Sequence, residues 1–288
     1  MSSTTAPLDW IPSDRQLERL AWRRARSRRR TTIALTSTVV VFGIAAIVIV
    51  SAPGWDRVQA TFFNWDEAKS SLPEILRGFR TTIEMFLIAE VCILVVGLIV
   101  AFVRVVPAPG LAPVKLIAII YTDVARGTPT LLVVYLVGFG LPALQLQGLP
   151  TSLFVLGIIA LTFSYGGYVA EVMRAGIQSV HPSQWSSGRS LGLSYGQTLR
   201  HVVLPQAIRR VLPPLINDFA SLQKDTALVA SIGVFEAFRA AQVETARDFN
   251  YTPMVVAAIG FILLTVPIAR LTDWLALRAV RREQGASA

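Results

Sequence analysis

Stretches near residues 31–52, 78–104, 111–144, 151–172, 206–234 and 253–277 are apolar over the length that a bilayer imposes on a helix, and that repetition limits what the chain can fold into. A hydrocarbon core about 30 Å thick needs about 20 such residues per helix. The pattern predicts an all-α polytopic integral membrane protein with about six transmembrane helices. Composition agrees: 53% of residues are hydrophobic and 16% charged, against about 25% charged in soluble domains. The net charge of +9 by itself also fits a nucleic-acid binder. Charge position decides against that reading. Arg23, Arg24, Arg26, Arg28, Arg29 and Arg30 directly precede the first apolar run, and Arg278, Arg281 and Arg282 follow the last. Basic flanks of spans mark the cytoplasmic side, so no nucleic acid is expected and both termini are placed in the cytoplasm. The single cysteine, Cys92, lies in an apolar run and reads as a packing residue.

Taken in order, residues 1–30 form a basic cytoplasmic tail and 31–52 a first transmembrane helix. A cleaved signal peptide is the rival for 31–52, but its apolar core runs only about 7–15 residues, and Pro53 spoils Ser51-Ala52 as a cleavage site. Residues 53–77, with Trp55, Phe62, Phe63 and Trp65, read as an extracytoplasmic segment at the membrane interface, where aromatics collect. The second span holds Glu84 and Glu90; Glu84 is near enough to the outer end to reach water, and Glu90 is the better candidate for an internal partner. The third stretch is broken by Arg126-Gly127-Thr128-Pro129. Such breaks are tolerated where protein or a water-filled cavity satisfies the backbone, so these residues either line a solute path or form a kink. In the fourth span Gly166-Gly167 permits bending or close approach, and Glu171 with Arg174 suits a local ion pair. The fifth carries Lys224, Asp225 and Thr226, too polar to face lipid together; Asp225 is paired by hypothesis with Arg126. Residues 235–252 read as an outer loop before the last span, and 278–288 as a cytoplasmic tail.

Between the fourth and fifth spans lies a polar insert, 174–205, longer than packed helices need. Pro182 suits a first helical position, and Ser194-Tyr195-Gly196-Gln197 has the form of a capping box. Two short helices are expected, near 182–190 and 194–203, reversing at Gly192, with Pro205 breaking the chain before the next span.

These residues carry a resemblance. Gly192, nine residues, then Val202-Val203-Leu204-Pro205 is similar to the cytoplasmic EAA loop of ABC importer permeases. With Ala125-Arg126-Gly127-Thr128-Pro129 and the run from Gln223 to Gly233, the chain resembles the polar amino acid (histidine/glutamate/arginine permease) branch over about 78–277. The resemblance implies a permease subunit in the bacterial plasma membrane for the glutamate/glutamine/arginine/histidine class of substrates. It also implies a cytoplasmic ATPase dimer, a second permease subunit, identical or homologous, an extracytoplasmic solute-binding protein, and alternating access. The coupling-loop residues it implies are Trp185, Ser186, Ser187, Gly188, Gly192, Leu204 and Pro205. Ser186-Ser187-Gly188 stands where the family has Glu-Ala-Ala, so the acid expected to meet the ATPase is missing. Trp185 fits either an apolar plug at the ATPase surface or an interfacial anchor. The candidate substrate pathway is Arg126, Gly127, Thr128, Pro129, Lys224, Asp225 and Thr226.

No phosphate loop of the form G-x-x-x-x-G-K-[ST] is present, so ATP is expected to be used by a partner and the chain to hold no cofactor. His181 and His201 form no H-E-x-x-H pair, and no G-x-S-x-G elbow occurs, so neither a metal site, a catalytic residue nor an enzyme activity is expected. The alternative is an ion-coupled secondary amino acid transporter, with Glu90, Asp123, Arg126 and Asp225 as ion sites.

Overall fold

The computed structural model describes residues 14–285 and divides into two units, one ending at Gln59 and one beginning at Ala60. Of the expected tails, residues 1–13 and 286–288 lie outside the described residues. In the first unit, helix α1 (Asp14–Val50) runs unbroken from the basic stretch through the first apolar run. No proline interrupts it, and it ends just before Pro53, which disfavours helix in the residue preceding it. Its apolar side chains from Ile33 to Val50 are exposed, as a surface meant for lipid is. Helix α2 (Trp55–Phe62) follows Gly54, whose φ of 105° requires glycine.

In the second unit, α3 (Trp65–Val105) begins at Asn64, whose side chain accepts from the backbone N–H of Asp66 at 3.0 Å and of Glu67 at 3.4 Å. The expected interfacial segment 53–77 is thus not separate from the span at 78–104: its second half is the first turns of one long helix. Asn followed by two acids is an N-cap with a favourably charged first turn, a signal the aromatic reading passed over. Helices α4 (Ala112–Gly127) and α5 (Thr130–Tyr135) follow, and α5 continues through a wide π turn, Leu136–Gly140, into α6 (Leu141–Ala143). Next come α7 (Leu153–Gln178), α8 (Pro182–Ser190) and α9 (Tyr195–Thr198). Helix α10 (Leu204–Asp225) runs into a 3-10 segment, Thr226–Ile232, and α11 (Ala237–Asp248) and α12 (Thr252–Gly285) complete the chain. Among the described residues four helices are long and apolar enough to cross a membrane, and six spans result if each of two bent pairs is one span.

Helix α7 is the hub. Leu161 and Val169 on it meet Met85 and Ile93 of α3, Val134 of α5, Leu222 of α10 and Val229 of the 3-10 segment in one buried cluster. The glycine pair in α7 works by close approach: a Cβ on Gly167 would stand 2.6 Å from that of Ala125 in α4.

Two further expectations are corrected. Residues 235–252 are not a loop but contain α11, held by Glu236. Its fully buried carboxylate accepts from the backbone N–H of Phe238 at 2.8 Å and of Arg239 at 2.7 Å, while Thr82 of α3 donates to it at 3.4 Å. Glu236→Ala should destabilise the domain by about 1–3 kcal/mol, because two capped N–H groups lose their acceptor in a buried place. Glu236→Gln, which keeps an acceptor oxygen, should recover part of that; unfolding midpoints in detergent test the order. The second correction concerns Pro205. It does not break the helix, because Leu199–Val203 form a π turn in which Leu204 N–H donates to Leu199 O. The wide turn seats the proline in the first turn of α10, where its missing N–H costs little.

Candidate functional site

The first candidate pathway segment lies where a helix stops, and the second where a helix changes from α to 3-10, ahead of the 50° bend between Ile232 and Ala237. Helix α4 ends at Gly127, Thr128 and Pro129 are extended, and the chain turns by 107° into α5. Arg126 O accepts from the Tyr168 phenol at 3.2 Å, which satisfies a carbonyl released by the break. On the other side α10 gives way to the 3-10 segment at Thr226, whose buried hydroxyl donates to Gln223 O at 2.7 Å. Asp225 there accepts from the Tyr165 phenol at 2.8 Å.

The hypothesised contact between Arg126 and Asp225 is not formed. Arg126 instead lies 4.0 Å from Glu171, which also binds Arg104 of α3 at 2.8 Å and Arg174 at 2.5 Å. The reason is geometric: α4 crosses α7 so that Arg126 comes to the Glu171 end, while Asp225 faces Tyr165. The local pair of Glu171 with Arg174 is present, enlarged into a cluster that fastens α3 and α4 to α7. What links the two breaks is α7 itself. Tyr165 and Tyr168, one helical turn apart, have ring centroids 6.2 Å from each other and reach Asp225 and Arg126 respectively. Sequence reasoning missed both tyrosines, although their i,i+3 spacing put them on one face of a helix.

Nearby polar groups remain unsaturated. Asp218 Oδ2 and Gln223 Nε2 are buried without a hydrogen-bond partner among the described residues, Gln223 Oε1 accepting from Thr265 at 2.5 Å. Glu90 is half-buried and within electrostatic reach of Asp218, so its neighbour is a carboxylate rather than a cation. Glu84 is paired with exposed Arg80 at 2.8 Å. Lys224 is exposed beside Phe238, Met254 and Phe261, and no ion pair joins it to an acid among the described residues. Asp123, Arg126, Gly127 and Pro129 are exposed as well.

The polar insert is a compact hairpin. His181 Nδ1 accepts from the backbone N–H of Ser183 at 3.2 Å to start α8, and Ser194 with Gln197 forms the reciprocal capping box that starts α9. Gly192 turns the chain between them at a φ of 81°. Trp185 stacks on Tyr195, with centroids 5.0 Å apart, and packs on Val180, Val203 and Ala207. It is therefore half-buried in the hairpin's own core, a position that neither open reading of it foresaw. Gly188 is buried against Thr198, so that a Cβ there would meet Thr198 Cγ2 at 2.6 Å. Ser186 and Ser187 face outward, as does Leu191 at 81% exposure, the most prominent apolar side chain of the hairpin. Leu204 and Pro205 join the hairpin to α10 without a gap.

A helical membrane domain whose two broken spans meet on one central helix, with a capped polar hairpin at one end, has the construction of a solute-conducting transport subunit. The chain belongs to the family of binding-protein-dependent transport system inner membrane components, whose pattern covers residues 93–281; it is an ABC importer permease. It is 31% identical over 196 residues to the arginine transport system permease protein ArtQ of Bacillus subtilis, covering 68% of this chain and 87% of that one. The probable amino-acid ABC transporter permease protein YckA of the same organism is 34% identical over 208 residues, covering 72% and 88%. Among solved structures, an amino acid ABC transporter crystallised with histidines superposes with a TM-score of 0.68 at 30% identity, over 75% of this chain and 98% of that one. The family is the membrane component of such importers, which sets aside the ion-coupled alternative.

Proposed function

We propose that the chain is the membrane-spanning subunit of an importer for polar amino acids, of the glutamate, glutamine, arginine and histidine class. ATP is hydrolysed by a separate dimeric ATPase, and the chain itself holds no cofactor. A binding protein delivers the solute on the opposite side. The arginine-rich start of α1 supports a cytoplasmic N-terminus, and with it cytoplasmic positions for the hairpin and the C-terminus. On this reading 31–52 is a retained first span and 78–277 the permease domain, with 174–205 as the coupling loop.

The observation that carries this reading is that the break after α4 and the change from α to 3-10 helix at Asp225 both face α7. Discontinuous helices place solute sites in transporters because the ends of half-helices and freed backbone groups meet there. Asp225 offers an anion for the ammonium group of an amino acid, and Arg126 and Lys224 offer cations for its carboxylate. Tyr165 and Tyr168 line the interval between them. Gly127, Thr128, Pro129 and Thr226 supply the bends. Exposed charges at membrane depth need cover, so Asp123 and Arg126 support a second permease subunit lying over α4. That partner, if not identical, also supplies the acid missing at Ser186.

The hairpin provides the mechanical link. Its helices are welded to the ends of α7 and α10, so a rigid-body push on the exposed Ser186, Ser187 and Leu191 surface tilts both. ATP-driven closure of the ATPase then stabilises one of two access states over the other. Trp185 supports that surface from beneath. Purification of the tagged full chain in mild detergent should bring down an ATPase, and reconstitution of the complex should give amino acid uptake that stops without ATP. A chain that emerges alone and still transports under an ion gradient would overturn the reading.

A further inference from the structure

The turn between α11 and α12 is fastened onto the chain just before α3. Tyr251 N–H donates to Thr61 O at 2.8 Å, the Asn250 side-chain amide to Ala60 O at 2.9 Å, and Asn64 N–H to Thr252 Oγ1 at 3.0 Å. Across this seam Phe62 and Tyr251 stack with ring centroids 5.4 Å apart, and both rings stay exposed. Two positions before Tyr251, Phe249 is 83% exposed, more than any other large apolar side chain among the described residues. It closes α11 with a φ of 51°, in the left-handed region where glycine is the usual choice and bulky residues are strained. Strain and exposure are both costs, and so exposed a side chain recovers neither from its own chain.

The charges along α3 set the seam clear of the hydrocarbon. From Arg80, in its exposed pair with Glu84, to Arg104, bound to Glu171 near the hairpin end of α7, the helix runs 24 residues. That is a rise of roughly 36 Å at 1.5 Å per residue, enough by itself for a hydrocarbon core about 30 Å thick. Trp65, the first residue of α3, lies 15 residues beyond Arg80, roughly 22 Å further along the axis. Headgroups add only about 5–8 Å on each side, so a lipid anchor at the seam would miss its lipid. An exposed aromatic patch in water marks a protein contact instead. Asp66, Lys69, Arg247 and Asp248, charges of both signs, are exposed in the segments that flank the seam, the composition of a polar rim. We propose that Phe62, Phe249 and Tyr251 form the docking surface for the soluble protein that delivers the solute, an inference that rests on the importer reading above. The seam's hydrogen bonds hold the surface ready, which lowers the ordering cost of docking.

The test reconstitutes the full chain with its ATPase in proteoliposomes and titrates the purified solute-binding protein that sustains ATP-driven uptake. Phe249→Gly should raise the half-saturating concentration of that protein on the order of tenfold, as truncation of a central interface aromatic does. The same variant should keep or raise the thermal midpoint, because glycine takes a positive φ without strain; a purely structural phenylalanine would lower it. A photoreactive phenylalanine analogue placed at Phe249 should crosslink to the binding protein. The proposal is overturned, with the importer reading intact, if the binding protein half-saturates wild type and Phe249→Gly alike, or if the photoproduct joins position 249 only to lipid or to a second copy of this chain. ATP-driven uptake by the wild type without any binding protein would overturn both.

Discussion

Asp225→Ala should lower ATP-driven amino acid uptake by roughly ten- to a hundredfold, the loss of one charge-assisted hydrogen bond to a bound ammonium group. The residue terminates α10 within the proposed pathway, and its carboxylate accepts a hydrogen bond from one phenol, that of Tyr165. One donor leaves a carboxylate with unused lone pairs, which is the state expected of a group that exchanges partners during transport. Tyr165→Phe separates the two roles. It removes the standing hydrogen bond but not the charge, so its effect on uptake should be smaller than that of Asp225→Ala. If Asp225 were only an anchor for Tyr165, the two variants would match. Radiolabelled uptake in proteoliposomes, normalised to folded protein by size-exclusion chromatography, reads the order directly. Arg126→Ala complicates the comparison, because its guanidinium also touches the Glu171 cluster; Lys224→Ala, on an exposed side chain with no ion pair among the described residues, is the cleaner test of the cationic side.

Much of this arrangement was legible in residue order because it is encoded locally. Apolar length gave the spans, Ser194 and Gln197 gave the start of α9, and Gly192 gave the reversal. What residue order concealed was encoded by distant partners. Arg126 and Asp225 were matched by charge alone, but pairing depends on which faces of α4 and α10 meet α7, and close approach at Gly167 sets that crossing. Glu236 fell in a stretch read as an outer loop although the N–H groups it caps, those of Phe238 and Arg239, are local; what residue order concealed is its burial against Thr82, 154 positions away. Trp185 looked like a surface aromatic, since nothing near it in the chain announces that Tyr195 folds back onto its ring. Pro205 was read by its general effect on helices; the π turn that accommodates it is a compromise among five residues and leaves no single-residue mark.

Gly188→Ala should uncouple the hairpin, and Thr198→Ala in the same chain should restore it. The Cβ introduced at 188 would lie 2.6 Å from Thr198 Cγ2, so α8 must lift from α9, an overpacking strain of about 1–3 kcal/mol. Because the hairpin is proposed to act as a rigid lever, that lift should show as loss of uptake with the basal ATPase rate of the complex retained. Thr198→Ala removes the offending methyl and with it the hydroxyl that donates to Ser194 O at 2.9 Å. Alone it should cost modestly, and with Gly188→Ala the two should fall well short of additive, as expected for residues in direct contact. Additive losses would mean that the α8–α9 contact does not govern transmission. The pair also bears on the missing acid. If Ser186→Glu in the wild-type background raises coupled uptake while the Gly188→Ala chain gains nothing from it, surface charge and lever rigidity act in series. The packing beneath the surface is then the prior requirement.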